Sequence, residues 1–191
     1  FAGARISLLA PAGAGVRVVA APDQFRGTAS AAAVATAIAR AVVDVGGSAV
    51  EVPMADGGEG TLEVLGGPNR TTRVTGPLGV PVEAAWRLEG STAVIEMALA
   101  SGLVLAGGSE GNRALDATTA GTGELIRAAV EQGARRVLVG VGGSATTDGG
   151  LGALRAMGSP ARYRGVGLTV ACDVKTSFVE GADRASTRPN P

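Results

Sequence analysis

The segment Gly140-Val141-Gly142-Gly143-Ser144-Ala145-Thr146-Thr147-Asp148-Gly149-Gly150 constrains this chain more than any other stretch. An apolar run at 137–139 precedes it, and a helix-like run at 151–157 follows. A strand that feeds a glycine-rich turn at a helix start presents backbone N–H groups to an anion. Ser144, Thr146 and Thr147 add hydroxyls, and Asp148 adds a carboxylate able to hold a metal ion. Five glycines and four polar side chains in eleven residues exceed what a sharp turn needs. The loop therefore reads first as a phosphate cradle, with Gly142, Gly143, Ser144, Thr146 and Thr147 as nucleotide contacts.

The residues that are absent narrow the chemistry further. The 191 residues contain no histidine, which excludes Ser-His-Asp and Cys-His catalysis and His-ligated zinc. Cys172 is the single cysteine, so there is no internal disulfide and no CxxC pair. Lys175 is the single lysine and no glycine precedes it, so there is no Walker A sequence. Carboxylates, arginines, hydroxyls and backbone N–H groups remain, and these are the parts of a magnesium-dependent phosphoryl-transfer site. Seventeen basic residues balance seventeen acidic ones with no basic patch, which argues against nucleic acid or a membrane surface as partner. No apolar run reaches the ~20 residues of a membrane span, and the N-terminus lacks a signal-peptide layout; the cytoplasm is the expected location. The start at Phe1 rather than Met reads as a fragment, a processed product or an incompletely recorded chain.

Aromatic residues make up only 3% of the chain, so alanine, valine, leucine and isoleucine must build the core. Residues 16–20 read as a buried strand ended by Pro22. Ser30 can cap a helix running to about residue 45, with Val34, Ile38 and Val42 along one face. Gly46 and Gly47 stop it, and 49–52 reads as a second strand. Together these make a β-α-β unit, which implies a parallel pair. A short helix is expected at 62–65, strands at 71–75, 82–88 and 92–97, a helix at 122–132, and strands at 137–139 and 167–171. Alternating strands and helices place the chain in the α/β class.

Acidic residues recur just after the expected strands: Asp23, Asp56, Asp148 and Asp173. Ligands of open α/β sheets bind beyond the carboxyl ends of strands, so these side chains can converge on one cleft; Asp is also common in ordinary turns. Asp56-Gly57-Gly58-Glu59-Gly60-Thr61 sets two carboxylates and three glycines at a helix entrance, where the backbone can approach an anion closely; a plain helix cap is the alternative. Arg26, near Asp23, can clamp a carboxylate or phosphate, or simply be solvated. Glu96 can face the same cleft or pair with a surface arginine. Gly140 to Ala145 also fits a loose GxGxxA dinucleotide pattern, but no acidic residue occupies 158–167, where that motif wants one, so a nicotinamide-binding protein is the weaker reading.

Seven blocks, in order, resemble the bacterial glycerate kinase family of the first type. Ala21-Pro22-Asp23-Gln24-Phe25-Arg26-Gly27 is similar to that family's APDSFKG, and Pro53 to Thr61 matches PMADGGEGT. Thr75 to Gly79 matches the TGPLG of VTGPLG, Ala93 to Ala98 matches AVIEMA, and Ala117 to Ile126 is close to ATTYGTGELI. The glycine loop is close to GIGGSATNDGG, and Ala171 to Val174 matches ACDV. The resemblance implies a two-lobed α/β kinase that phosphorylates D-glycerate with ATP and Mg²⁺, 2-phosphoglycerate being the favoured product. It implies a Rossmann-like first lobe, incomplete here, with an inserted second α/β lobe and the active site between them. The expected division is a loose N-terminal segment at 1–15, the first part of the Rossmann-like lobe at 16–67, the inserted lobe at 68–175 and an irregular tail at 176–191. Asp56 and Asp148 are then expected to face metal or nucleotide, Asp23 and Arg26 glycerate or phosphate, and Asp173 the cleft wall. Gly57, Gly58, Glu59 and Gly60 join the glycine loop as nucleotide contacts.

The resemblance also implies a chain roughly twice this length. Segments that follow Asp173 in the family are missing, and Arg26 stands where the family has lysine. The expectation is a C-terminally truncated member with exposed apolar faces and weak or no activity alone, its alternative a non-catalytic nucleotide or anion binder. A homo-oligomer could cover the missing strands.

Overall fold

The computed structural model describes residues 15–25 and 27–173. Arg26 and the expected terminal segments, apart from Gly15, lie outside them. The chain is α/β, with two sheets among the described residues. The first pairs β1 (Arg17–Ala20) with β2 (Ser48–Glu51) in parallel, joined by helix α1 (Ala31–Asp44). The second runs β3 (Arg70–Thr75), β4 (Pro81–Glu89), β5 (Thr92–Glu96), β6 (Arg136–Gly140) and β7 (Gly167–Ala171), with neighbours in chain order. Its first three strands form an antiparallel meander, and β5, β6 and β7 are parallel.

Helix α1 starts where Ser30 accepts the Ala33 N–H at 3.3 Å, the cap its sequence announces. Its most buried residues are Ala31, Ala35 and Ala39, however, rather than the Val34, Ile38 and Val42 row, which is only half-buried. Small side chains let the helix lie close to a sheet of two strands, with Val18 and Ala20 of β1 buried beside it. Large residues have too little opposing surface there to become fully covered.

The main core belongs to the five-stranded sheet. Trp86 of β4, Ile95 of β5, and Leu125 of helix α5 (Ala120–Glu131) are 0% exposed, with Val74, Val137, Val139 and Ala129 around them. Full burial of an indole requires a partner for its N–H, and Trp86 Nε1 donates to Thr72 Oγ1 across the β3–β4 pair at 2.9 Å. Against α5 lies α6 (Leu151–Met157), which follows the glycine loop. Among the described residues no helix is long and apolar enough to cross a membrane. Val19 and Val50 of the first sheet, and Leu168 and Val170 of the outer strand β7, are exposed.

Three further four-residue helices connect these elements: α2 (Thr61–Val64), α3 (Ala98–Ser101) and α4 (Gly108–Gly111). The two after β5 have no clear amphipathic pattern in the sequence, because one turn is too short to show a period.

The α5–α6 contact depends on a missing side chain. A Cβ on Gly123 would lie 2.2 Å from the Ala153 carbonyl oxygen. Gly123→Ala is therefore expected to force α6 outward and to cost about 1–3 kcal/mol, as overpacking does. Urea denaturation of the variant against the parent chain checks this.

Candidate functional site

Asp23, Asp56, Glu96, the glycine loop and Asp173 lie at or just beyond the carboxyl ends of β1, β2, β5, β6 and β7 respectively. The 52–67 segment links the two sheets, and its 56–60 loop wedges onto the ends of β6 and β7. Gly142 N–H donates to Gly57 O at 2.9 Å. A Cβ on Gly142 would sit 2.3 Å from Gly58 Cα, one on Gly140 2.6 Å from Gly57 O, and one on Gly57 2.6 Å from Ala171 O. Only glycine permits these backbones to approach so closely. Within the loop, Asp56 Oδ1 accepts the Gly58 N–H at 2.8 Å, and Thr61 Oγ1 donates to Gly58 O at 2.7 Å.

Two hollows flank this loop. Asp23, Gln24, Glu59, Gly60 and Glu63 line a narrow crevice beside the start of α1. Asp56, Gly57 and Thr61 line a larger hollow of about 630 Å³ between the 53–65 segment and the β6–β7 pair. Met54 and Val64 border both. Asp23 and Asp56 therefore stand on neighbouring hollows separated by one layer of chain, with Glu59 beside Asp23. Asp173 is exposed just past β7, and its neighbour Cys172 lines the larger hollow.

Asp148 does not join them. It lines neither hollow, and its carboxylate is taken up by the protein. Oδ2 accepts Thr119 N–H at 2.8 Å and Gly152 N–H at 3.1 Å, Oδ1 accepts Gly150 N–H at 2.9 Å, and Thr119 Oγ1 lies 2.9 Å from Oδ2. Thr119 Oγ1 in turn accepts Ala153 N–H at 2.9 Å. Burial is the largest single influence and raises the Asp148 pKa, but the N–H groups and the hydroxyl together outweigh it and hold the carboxyl below its ordinary value. Asp148 is a latch that joins the starts of α5 and α6. Asp148 thus stands apart from the hollows that Asp23 and Asp56 line: an Asp placed before a helix start finds orphan backbone N–H groups close at hand.

The hydroxyls of the glycine loop are also engaged. Thr146 Oγ1 donates to Ala117 O at 2.7 Å, Thr147 Oγ1 to Ala114 O at 3.3 Å, and Ser144 Oγ to Thr146 O at 3.2 Å. The two threonines fix the loop against 112–119, where Asn112 Nδ2 also donates to Ala145 O at 2.8 Å, and Ser144 braces the loop internally. Gly142 serves the contact with the 56–60 loop, and Gly143 O accepts Leu103 N–H at 2.9 Å. Among the described residues no group of three or more His, Cys, Asp or Glu side chains is placed to hold a metal.

Two carboxylates matter in ways the sequence did not single out. Glu96 neither opens on a hollow nor pairs with a surface arginine: it is 3% exposed, and its Oε2 accepts Leu62 N–H at 3.0 Å. Burial pushes its pKa up most strongly; the Leu62 and Gly60 N–H groups oppose this, and the charges of Glu59 and Glu63 add to it. Glu124 of α5 accepts both Thr75 N–H and Thr75 Oγ1, each at 2.8 Å, and ties the helix to the end of β3. Both partners lie more than 30 residues away, so no local pattern could reveal them.

A glycerate kinase family model matches residues 18–162. The chain is 46% identical over 152 residues to glycerate 2-kinase of Escherichia coli (strain K12), covering 75% of this chain and 40% of that protein. It is 41% identical over 195 aligned residues to glycerate kinase of Bacillus subtilis (strain 168), covering 83% of this chain and 51% of that protein. A glycerate kinase 2 crystal structure from Salmonella typhimurium LT2 superposes with a TM-score of 0.69 at 32% identity, covering 90% of this chain and 58% of that one. The chain belongs to the glycerate kinase family. It spans about half or less of the length of these two curated relatives.

Two outcomes test the geometry. Gly142→Ala is expected to part the two loops and to cost about 1–3 kcal/mol, with faster amide exchange at 56–60 than elsewhere. Because the folded pKa of Asp148 is lowered, its contribution is complete above the ordinary carboxylate value of 3.8 and is lost as pH falls through the folded value. Asp148→Asn should flatten that part of the stability–pH curve, and Asp148→Ala should cost about 2–3 kcal/mol near neutrality; urea titrations across acid pH read both.

Proposed function

We propose that this member of the glycerate kinase family transfers the γ-phosphoryl group of ATP to a hydroxyl of D-glycerate, with 2-phosphoglycerate as the favoured product. The observation that carries the reading is the seating of the 56–60 loop on Gly140 and Gly142, with Asp23, Glu59 and Asp56 at its rim. Phosphoryl transfer needs positioning and charge stabilisation more than covalent chemistry. A glycine-lined junction flanked by carboxylates, in a chain without histidine, suits that demand.

Magnesium fits the donor set. It takes oxygen ligands and is usually held by one or two carboxylates together with the nucleotide's phosphates, so a three-acid cage is not needed. Asp56, on the larger hollow, is the carboxylate that would hold it, with the nucleotide's phosphates supplying other oxygens. When bound it would neutralise charge building on the β- and γ-phosphate oxygens. Asp23 is the base that takes the proton from the attacking hydroxyl, and Arg26 clamps the carboxylate of glycerate. Asp173 closes the rim beyond β7. A second reading, a nucleotide binder without turnover, draws on the engagement of Asp148 and of the loop hydroxyls by the protein itself.

A coupled ADP-release assay with D-glycerate, ATP and Mg²⁺ tests this reading. Weak turnover is expected, and Asp23→Asn should lower kcat/KM by about 100-fold or more, the scale of losing a general base. Thermal stabilisation by ATP without turnover would select the second reading. NAD binding that displaces ATP would overturn both.

A further inference from the structure

The four-residue helix α2 is gripped at both ends by the five-stranded sheet. At its start, Glu96 Oε2, from the end of β5, accepts Leu62 N–H at 3.0 Å. At its finish, Arg87 Nη1, from β4, donates to Gly66 O at 2.8 Å and Gly67 O at 3.1 Å. Glu96 meets an orphan N–H of the first turn, and Arg87 holds the two glycine carbonyls just past the helix end. One turn of helix does not hold itself. Its N-cap, Gly60, has no side chain to offer and lies at φ 88°. The missing acceptor arrives from a residue 34 positions along the chain.

This grip lies next to the crevice. The 56–60 loop is fastened at one side by Gly57 O to Gly142 N–H and at the other by Glu96. Glu59, between the two fastenings, lines the crevice with Asp23 and Glu63. Glu96 itself lines neither described hollow. We propose that Glu96 is a positioning residue: by holding the start of α2 it fixes where Glu59 and Gly60 stand in the crevice, and so sets ligand affinity without touching ligand. The fixed geometry is held against a cost, since the carboxylate is buried and the charges of Glu59 and Glu63 oppose its own.

The test compares the parent chain with Glu96→Ala and Glu96→Gln, by amide hydrogen exchange and by titration with D-glycerate and with MgATP; the binding arm rests on the kinase reading. In Glu96→Ala, exchange at 58–64 should quicken about tenfold or more, the scale of losing a charged hydrogen bond. Exchange at 120–131 should stay unchanged, and ligand affinity should fall. Glu96→Gln keeps an acceptor oxygen and should recover most of both. Equal quickening in both segments, or no change in either, overturns the proposal, as does affinity that ignores the loop. Should the alanine variant fail to fold, Glu96→Asp replaces it: its shorter reach must loosen 58–64 where glutamine does not. A parent chain that binds neither ligand counts against the kinase reading, while the exchange pattern still decides the role of Glu96.

Discussion

The contact on which the site depends is backbone against backbone. Gly57 and Gly58 rest on Gly140 and Gly142 at distances that a single methyl group would break. That contact brings a loop from the end of the two-stranded unit onto the ends of β6 and β7. It sets the carboxylates of the 56–60 loop directly beside the glycine loop. The hydrogen bond between Gly142 and Gly57 adds direction to an approach that the absence of Cβ atoms makes possible.

The same economy of side chains recurs elsewhere. With 3% aromatics, the chain cannot fill space with large rings. It brings its elements close together instead: an alanine seam on α1, glycine against alanine where α5 meets α6, and one tryptophan at the centre of the larger core. Close packing of small residues leaves little slack, which is why single added methyl groups are the sharpest probes of this fold.

Charged groups complete what packing begins. The fastenings of the loops come from carboxylates and a guanidinium that meet helix ends: Asp148 at the start of α6, Glu96 at the start of α2 and Arg87 at its finish. The two carboxylates satisfy N–H groups that a short helix leaves without partners, and Arg87 holds the glycine carbonyls just past α2. The acids that line the two hollows are Asp23, Glu59, Glu63 and Asp56, with Asp173 exposed beyond β7.

The sequence by itself determined the α/β class, the main strands and helices, the Ser30 cap and the family, because these follow from short-range periodicity, capping chemistry and the order of distinctive blocks. It also marked the glycine loops as sites of close approach, since no other residue tolerates it. Tertiary structure alone decided which acids face a hollow. Asp56 and Asp148 look alike in sequence, each beside a glycine pair at a helix entrance; one lines a hollow and the other is consumed by Thr119, Gly150 and Gly152. Glu96 and Glu124 likewise found partners 34 and 49 residues away. A carboxylate's role is set by the donors that reach it in space, and the donors for these residues are brought by chain segments that no local window contains.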